Sequence, residues 1–493
     1  MKTTSNMNKE RVLSLCHKSL ESMQKHLNVL TSVATSIAAP GGPIEPKRLI
    51  EHQYALHGFA WMVTYITALR ELLNWAERLN SKGLLDDLEI LILQCGYGSY
   101  LKQLRSGIAM SQDEFARPND LGIADASELN TPAIDELICL GDTISVRQNI
   151  AMILSERLGT RSFGNLSLDD THTIIRDQFS RFSDERVAPE AQAWHIADDL
   201  IPIEIIEEMS GLGVFGLTLP EEDGGLGLDK TAMCIVTEEL SRGYIGVGSL
   251  STRSEIAAEL IRFNGTNEQK EKYLASIASG SILPTAVFTE PNHGSDLAHI
   301  RTRAEYIKNN YKITGNKIWI THGARSDLMT LLARTSNEDG GYGGLSMFLA
   351  EKPRGTDKEP FPAKGMSGSE IRVLGYRGMK EYEIAFDGFE VDKESLLGGE
   401  EGNGFKQLMS SFETARIQTA ARAIGVAQNA LELSLNYANE RSQFNKSIID
   451  FARVGGKIGW MAVETMIARQ LTYFSARQRD NNQRCDIEAG MAK

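Results

Sequence analysis

The chain is poor in the residues that staple or anchor a protein. It has 5 cysteines in 493 residues (Cys16, Cys95, Cys139, Cys234 and Cys485), and no two form a CxxC pair. Thiols scattered this way fit a reducing compartment and give no support to a structural metal site. The 9 histidines do not cluster, so no metal site is indicated. No apolar run approaches the ~20 residues needed to cross a bilayer, so no membrane insertion is expected. The opening residues lack the apolar core of a signal peptide, and Glu10 does not suit a transit peptide, which makes a cytoplasmic location the expectation. Positive charge is also short, with 52 Lys and Arg against 65 Asp and Glu and a formal net charge of −13. That balance excludes a general nucleic-acid surface and any global attraction to anionic lipid. It leaves room for a phosphate-bearing small ligand, because a few local arginines and helix N-termini suffice for one.

What is present is an ordinary globular composition, 42% hydrophobic and 24% charged. A chain of this length is expected to fold as about two to four units. Residues 1–165 read as an all-helical leader. Within it Trp61, Tyr65, Leu69, Leu72, Leu73 and Ala76 recur at helical spacing, and Pro40-Gly41-Gly42-Pro43 separates this helix from the one before. Residues 166–284 are again helical, interrupted at Pro220-Glu-Glu-Asp-Gly-Gly-Leu-Gly227. Between 285 and 395 the texture changes to short alternating runs, such as Tyr311-Lys-Ile-Thr314 and Lys317-Ile-Trp-Ile-Thr321. Asn309-Asn310 and Thr314-Gly315-Asn316 read as turns between strands. Residues 396–493 return to the helical period. The expected class is α+β and multidomain, in the unusual order α, α, β, α.

Two segments carry chemistry. Thr289-Glu-Pro-Asn-His-Gly-Ser-Asp296 has loop composition, with Gly294 permitting close backbone approach and Ser295 able to donate to a phosphate. Taken alone it fits a polar turn between strands better than a binding loop. Trp319-Ile320-Thr321 ends a strand, where alternation predicts the indole and the hydroxyl on one face.

These motifs, with Gln269-Lys-Glu-Lys-Tyr-Leu274, Gly402-Asn-Gly-Phe405 and Arg441-Ser-Gln-Phe444, occur in an order that resembles the acyl-CoA dehydrogenase family over about residues 170–493. The resemblance implies a helical domain, a central β-barrel-like domain and a C-terminal helical bundle, with the leader in front. It also implies an FAD cofactor, an acyl-CoA substrate, electron-transferring flavoprotein as acceptor, and a homo-oligomer, dimer or tetramer. By the same resemblance Phe288, Thr289, Gly294, Ser295, Trp319, Ile320 and Thr321 line the flavin. Arg441, Gln443 and Phe444 reach the FAD of a neighbouring subunit, and Ser295, Glu413 and Arg416 contact CoA. A helix-surface ion pair is the alternative role for Arg416.

The chain departs from the family pattern at several positions. The catalytic Glu of most members is expected beyond Lys493, so the chain resembles a C-terminally incomplete member. Ala415 occupies the other position where the family carries this base. Glu413 is a poor substitute, since two residues rotate it by about 200° on a helix. Asn445 stands where Gly follows the Phe, and Ala452 where a Gln commonly meets the adenine.

Arg253, in Ser251-Thr-Arg-Ser-Glu-Ile256, matches the position at which family members acting on dicarboxylic acyl groups hold the free carboxylate. Burying a carboxylate demands a paired cation, and a guanidinium can grip both oxygens. The alternative is a solvated Arg253 paired with Glu255 or Glu239. The leader, with His57-Gly-Phe-Ala-Trp61, and the run Thr414–Gly425 are similar to family members that take a short branched diacid. The expected reaction is methylsuccinyl-CoA to mesaconyl-CoA. A monocarboxylic acyl-CoA, an acyl-CoA oxidase and a non-catalytic flavin- or CoA-binding protein are the alternatives.

Overall fold

The structure is a computed structural model that describes residues 8–159, 163–336 and 341–493. It contains two compact units, one of residues 1–169 with 427–474, the other of 170–426 with 475–493.

The first unit is helical apart from two short antiparallel strand pairs, Ile108–Ala109 with Phe115–Ala116 inside the leader expected to be all helix, and Ser442–Gln443 with Lys446–Ser447. Its leader helices are Lys9–Ala38, Pro46–Glu51, Gln53–Ser81, Asp87–Ser106, Pro132–Leu140 and Ile144–Glu156. Their starts follow local chemistry. The Asn8 side chain accepts from the Arg11 N–H, and Thr131 and Thr143 cap the helices they precede. The stripe on Gln53–Ser81 packs as its spacing predicts at Leu69, Leu72, Leu73 and Ala76, all buried. Trp61 lies partly exposed at the edge, beside Tyr65, whose ring stacks on Tyr100 at 4.0 Å. Trp75 is fully buried, and its indole N–H donates to the Asn165 carbonyl at 2.8 Å.

The second unit holds six α-helices between Asp170 and Ala278 and then a seven-stranded sheet. The strands are β1 (Pro284–Val287), β2 (Arg303–Ile307), β3 (Asn310–Thr321), β4 (Leu328–Arg334), β5 (Leu345–Glu351), β6 (Met366–Ile371) and β7 (Glu381–Asp392). The order is β1-β4-β2-β3-β7-β6, and β5 pairs β4. β1 runs parallel to β4, while β2–β3, β3–β7, β6–β7 and β4–β5 are antiparallel. Val287, Ile313, Leu331, Phe348 and Ile384 form the sheet core.

Lys308 and Asn309, both at positive φ, make the tight turn between β2 and β3, next to the expected Asn309-Asn310. Thr314-Gly315-Asn316 is not a turn. β3 runs straight through it, so the two runs read as separate strands are one. The irregularity there is a bulge on the partner, where Gly388 (φ 69°) is the extra residue of β7. Gly315 is needed because a Cβ would sit 2.5 Å from the Thr302 hydroxyl. The helix Gly404–Glu440 follows the sheet, and Ala452–Asp480 and Asp486–Ala492 complete the chain's helices.

Candidate functional site

The loop after β1 is built around a buried ion pair that pattern reading missed. Glu290 accepts from the backbone N–H groups of Arg301 (2.7 Å) and Thr302 (2.9 Å) and pairs with Lys317 Nζ at 3.1 Å. Lys317 is fully buried and also donates to the Phe288 carbonyl at 2.8 Å. Burial pushes the Lys317 ammonium down to about 8 although Glu290 opposes it. Glu290 is also desolvated, but the Lys317 charge and the two N–H donors hold it below its usual range. Two further bonds close the loop, Glu290 N–H to the His293 carbonyl and Ile318 N–H to the Thr289 carbonyl, both 3.0 Å. Gly294 and Ser295 are thereby held at an exposed tip, and Phe288 lies half-buried 6.5 Å from the Phe412 ring. The sequence did contain a signal for Lys317, a charged residue in the inward register of Tyr311 and Ile313.

Alternation fails at Trp319. Lys317 pairs with Ile384 and Ile320 with Tyr382, so β3 carries one extra residue, and Trp319 sits in this bulge at φ 60°. Trp319 is 53% exposed, whereas Ile320 and Thr321 are buried. The extra residue turns Trp319 out of the inward register of Lys317, and Ile320 returns to the sheet core between Trp319 and Thr321. The Thr321 hydroxyl donates to Glu381 Oε1 at 2.7 Å, while the buried Glu381 Oε2 has no partner. Burial raises the Glu381 carboxyl; the Thr321 bond and the charges of Arg253 and Arg422 oppose that. His322, at the end of this strand, is pushed to about 3 by burial and by the Arg325 and Arg253 charges, so it is neutral near pH 7.

Arg253 lies on the helix Ile245–Asn264. Neither carboxylate named as its alternative partner is available to it. Glu255 is taken by Lys230 and Thr218, and Glu239 by Arg242 and Arg176. Among the described residues Arg253 makes no ion pair and no side-chain hydrogen bond, although Glu381 and Arg422 lie within its electrostatic reach.

Glu413 and Arg416 lie on the helix Gly404–Glu440. Glu413 pairs with Arg479 at 3.1 Å, accepts from the Cys485 thiol, and lines a cavity of about 500 Å³ with Lys230, Glu259, Arg262 and Phe263. Arg416 forms no ion pair among the described residues, and its guanidinium sits 5.8 Å from the Phe412 ring.

Arg441, Gln443 and Phe444 belong to the other compact unit. They form a hairpin, Ser442–Gln443 against Lys446–Ser447. Its two turn residues, Phe444 (φ 52°) and Asn445 (φ 60°), are both left-handed, and Phe444 is 87% exposed. Asn tolerates this conformation almost as Gly does, which explains how Asn445 replaces the family glycine. Asn445→Ala is expected to lower stability by about 1 kcal/mol, while Asn445→Gly leaves it unchanged or higher, as read by thermal unfolding.

Family models match three consecutive parts of the chain: the acyl-CoA dehydrogenase N-terminal domain at 169–281, the middle domain at 285–389 and the C-terminal domain at 402–493. The chain belongs to the acyl-CoA dehydrogenase family. It is 56% identical over 484 residues to the (2S)-methylsuccinyl-CoA dehydrogenase of Cereibacter sphaeroides, covering 98% of this chain and 88% of the relative. The benzylmalonyl-CoA dehydrogenase of Aromatoleum aromaticum is 34% identical over 331 residues, 67% of this chain and 84% of that one. Among solved structures, a glutaryl-CoA dehydrogenase with glutaryl-CoA is 30% identical with a TM-score of 0.62, covering 67% of this chain and 82% of that one. A glutaryl-CoA dehydrogenase from Mycobacterium smegmatis in complex with FADH2 gives 27% and 0.59 over 66% and 80%. The fold is therefore that of an acyl-CoA dehydrogenase with a helical extension in front.

Enzymes of this family are FAD-dependent. The residues present fit such a cofactor. An exposed indole in a strand bulge offers a flat apolar face, and the exposed Gly294-Ser295 tip offers N–H and O–H donors to phosphate. Among the described residues no single helix is long and apolar enough to cross a membrane.

Proposed function

We propose that this acyl-CoA dehydrogenase acts on a short branched dicarboxylic acyl-CoA, oxidising methylsuccinyl-CoA to mesaconyl-CoA. The observation that carries this reading is Arg253, a guanidinium with no carboxylate paired to it among the described residues, within electrostatic reach of the Thr321–Glu381 pair. The relative named for methylsuccinyl-CoA supports it, as does the structure holding glutaryl-CoA, another diacid thioester.

In this reading Phe288, Thr289, Gly294, Ser295, Trp319, Ile320 and Thr321 hold the FAD. Arg441, Gln443 and Phe444 serve the site of a neighbouring subunit, which makes the enzyme a homo-oligomer. Bound FAD supplies a hydride acceptor for the substrate β-carbon. Ser295, Glu413 and Arg416 hold the CoA, and Arg253 anchors the free carboxylate, so the α- and β-carbons are positioned from both ends. A carboxylate takes the α-proton. Glu413 is not that group here, because Arg479 and Cys485 already occupy its Oε2. Electron-transferring flavoprotein reoxidises the cofactor; one structural neighbour, 32% identical with a TM-score of 0.62, was solved in a study of that flavoprotein.

Anaerobic mixing of the FAD-loaded protein with methylsuccinyl-CoA tests the proposal. Bleaching of the flavin band with formation of mesaconyl-CoA, faster than with a branched monoacyl-CoA of equal length, is the expected result. Faster bleaching by the monoacyl thioester overturns the substrate assignment. Binding of the thioester with no bleaching by either compound supports a non-catalytic family member.

A further inference from the structure

We propose that Glu381 is the proton acceptor that serves the flavin during its reoxidation, reached through the hydroxyl of Thr321. The inference rests on the reading that Thr321 meets FAD, and adds a residue and a proton path to it.

Thr321 ends β3, Glu381 begins β7, and the two stand directly opposite each other in the antiparallel pair. Directly opposed residues share a face of the sheet, so their side chains meet. The Thr321 hydroxyl donates to Glu381 Oε1 at 2.7 Å. The bulge at Trp319 sets that register on one side. On the other, the His322 N–H donates to the Lys380 carbonyl at 3.0 Å and ties the two strand ends together.

Glu381 is set unlike a structural carboxylate. Glu290, in the same domain, has Lys317 and two backbone N–H donors and is held low. Glu381 has one hydroxyl, and its Oε2 is sealed from solvent without a partner. Arg253 on the helix Ile245–Asn264 and Arg422 on the helix Gly404–Glu440 favour its ionised form, but neither forms an ion pair with it among the described residues. Lys380, its neighbour in sequence, is taken by Glu370 at 3.0 Å, and His322 is neutral near pH 7. Burial outweighs these charges and raises the carboxyl. A carboxylate bonded this sparingly is a stronger base than one fully bonded.

A hydroxyl has one proton, so the chain of bonds has a direction. Thr321 directs its proton at Glu381, which leaves the Oγ lone pairs to accept from a donor on the cofactor side. A flavin offers that donor only when reduced, because the ring nitrogen that receives the hydride is bare in the oxidised ring. Reoxidation removes two electrons and that proton. Thr321 Oγ takes the proton while its own passes to Glu381 Oε1. One N–H and one O–H bond break, two O–H bonds form, and the two electrons go to the acceptor flavoprotein. Glu381 then returns the proton to water.

The test uses the FAD-loaded protein with Glu381→Gln, which keeps the shape but cannot take the proton, Glu381→Asp and Thr321→Val. The flavin is reduced photochemically and mixed with ferrocenium, a one-electron acceptor. Glu381→Gln is expected to slow reoxidation by about 100-fold, a larger loss than in its bleaching by methylsuccinyl-CoA. Thr321→Val slows it as far, and Glu381→Asp restores part of the rate. Wild-type reoxidation slows as pH falls through the titration of Glu381, and Glu381→Gln lacks that dependence. The flavin-free protein gives a second readout. A carboxyl raised by folding contributes stability at low pH that is lost as pH rises through its folded value. Thermal unfolding of the wild type shows this component, and Glu381→Gln lacks it. Fast reoxidation of Glu381→Gln or Thr321→Val, an equal loss in both half-reactions, or either pH component surviving in Glu381→Gln overturns the proposal. A wild type that neither thioester bleaches overturns the dehydrogenase reading, and the photoreduced flavin still decides this one.

Discussion

Arg253→Met is expected to lower kcat/KM for the diacid thioester by roughly 30- to 5000-fold, the range that follows from removing one partner of a buried charge pair. The effect is large because the substrate carboxylate would then enter a half-buried site without the guanidinium proposed to hold it. It would also meet Glu381, a like charge with an unpartnered oxygen. Arg253 itself has no ion-pair or side-chain hydrogen-bond partner among the described residues, so the variant is expected to fold normally, with an unfolding midpoint close to wild type. The separation of the two readouts is the point of the experiment. An Arg that holds substrate moves kinetics and leaves stability alone, whereas an Arg that braces the helix Ile245–Asn264 moves both. Diacid kinetics unchanged in this variant would sink the assignment of the carboxylate to Arg253.

Lys317→Met is expected to destabilise the second unit by about 3–5 kcal/mol and to weaken FAD retention, because it leaves Glu290 buried with a charge that its two N–H donors only partly compensate. The Phe288 carbonyl loses its donor in the same step, and Phe288 and Thr289 are the first residues of the loop proposed to hold FAD. Urea unfolding and the fraction of FAD bound after gel filtration read the two effects. Lys317→Met with Glu290→Gln should recover part of the loss, since the pair is then removed together. The pH dependence has a definite sign. Folded Lys317 gives up its proton near 8, the unfolded residue near its ordinary ~10.4. Between these values the unfolded chain binds more protons, so this residue's contribution to stability rises with pH across the window and is lost as pH falls through about 8. Lys317→Met should lack that component, and a variant that keeps it would show that the titration belongs to another group.

Much of the chemistry was legible in residue order. The run from Thr289 to Asp296 and the triplet Trp319-Ile320-Thr321 are contiguous, and the order of helical, strand and helical texture depends on local periodicity, which a linear reading detects. The scatter of the cysteines and the charge balance likewise needed no coordinates to be read. The exposure of Trp319 was not legible. It depends on how β3 pairs with β7, sixty residues on, and one extra residue between Lys317 and Ile320 reverses the face that strict alternation assigns. Asn445 could be noted as a departure from the family pattern, but only its left-handed backbone explains why the departure is harmless.

By itself, then, the sequence determined the family resemblance and the loop expected to meet a flavin, because those depend on neighbours along the chain. The tertiary structure decided which charges are paired. Arg253 had two candidate carboxylates nearby in sequence, and both turn out to be occupied by Lys230, Arg242 and Arg176. Lys317 and Glu290 lie 27 residues apart, and Arg422 meets Ser249 from 173 residues away. Ion pairing depends on distance in space and on local dielectric, and neither is written in residue order.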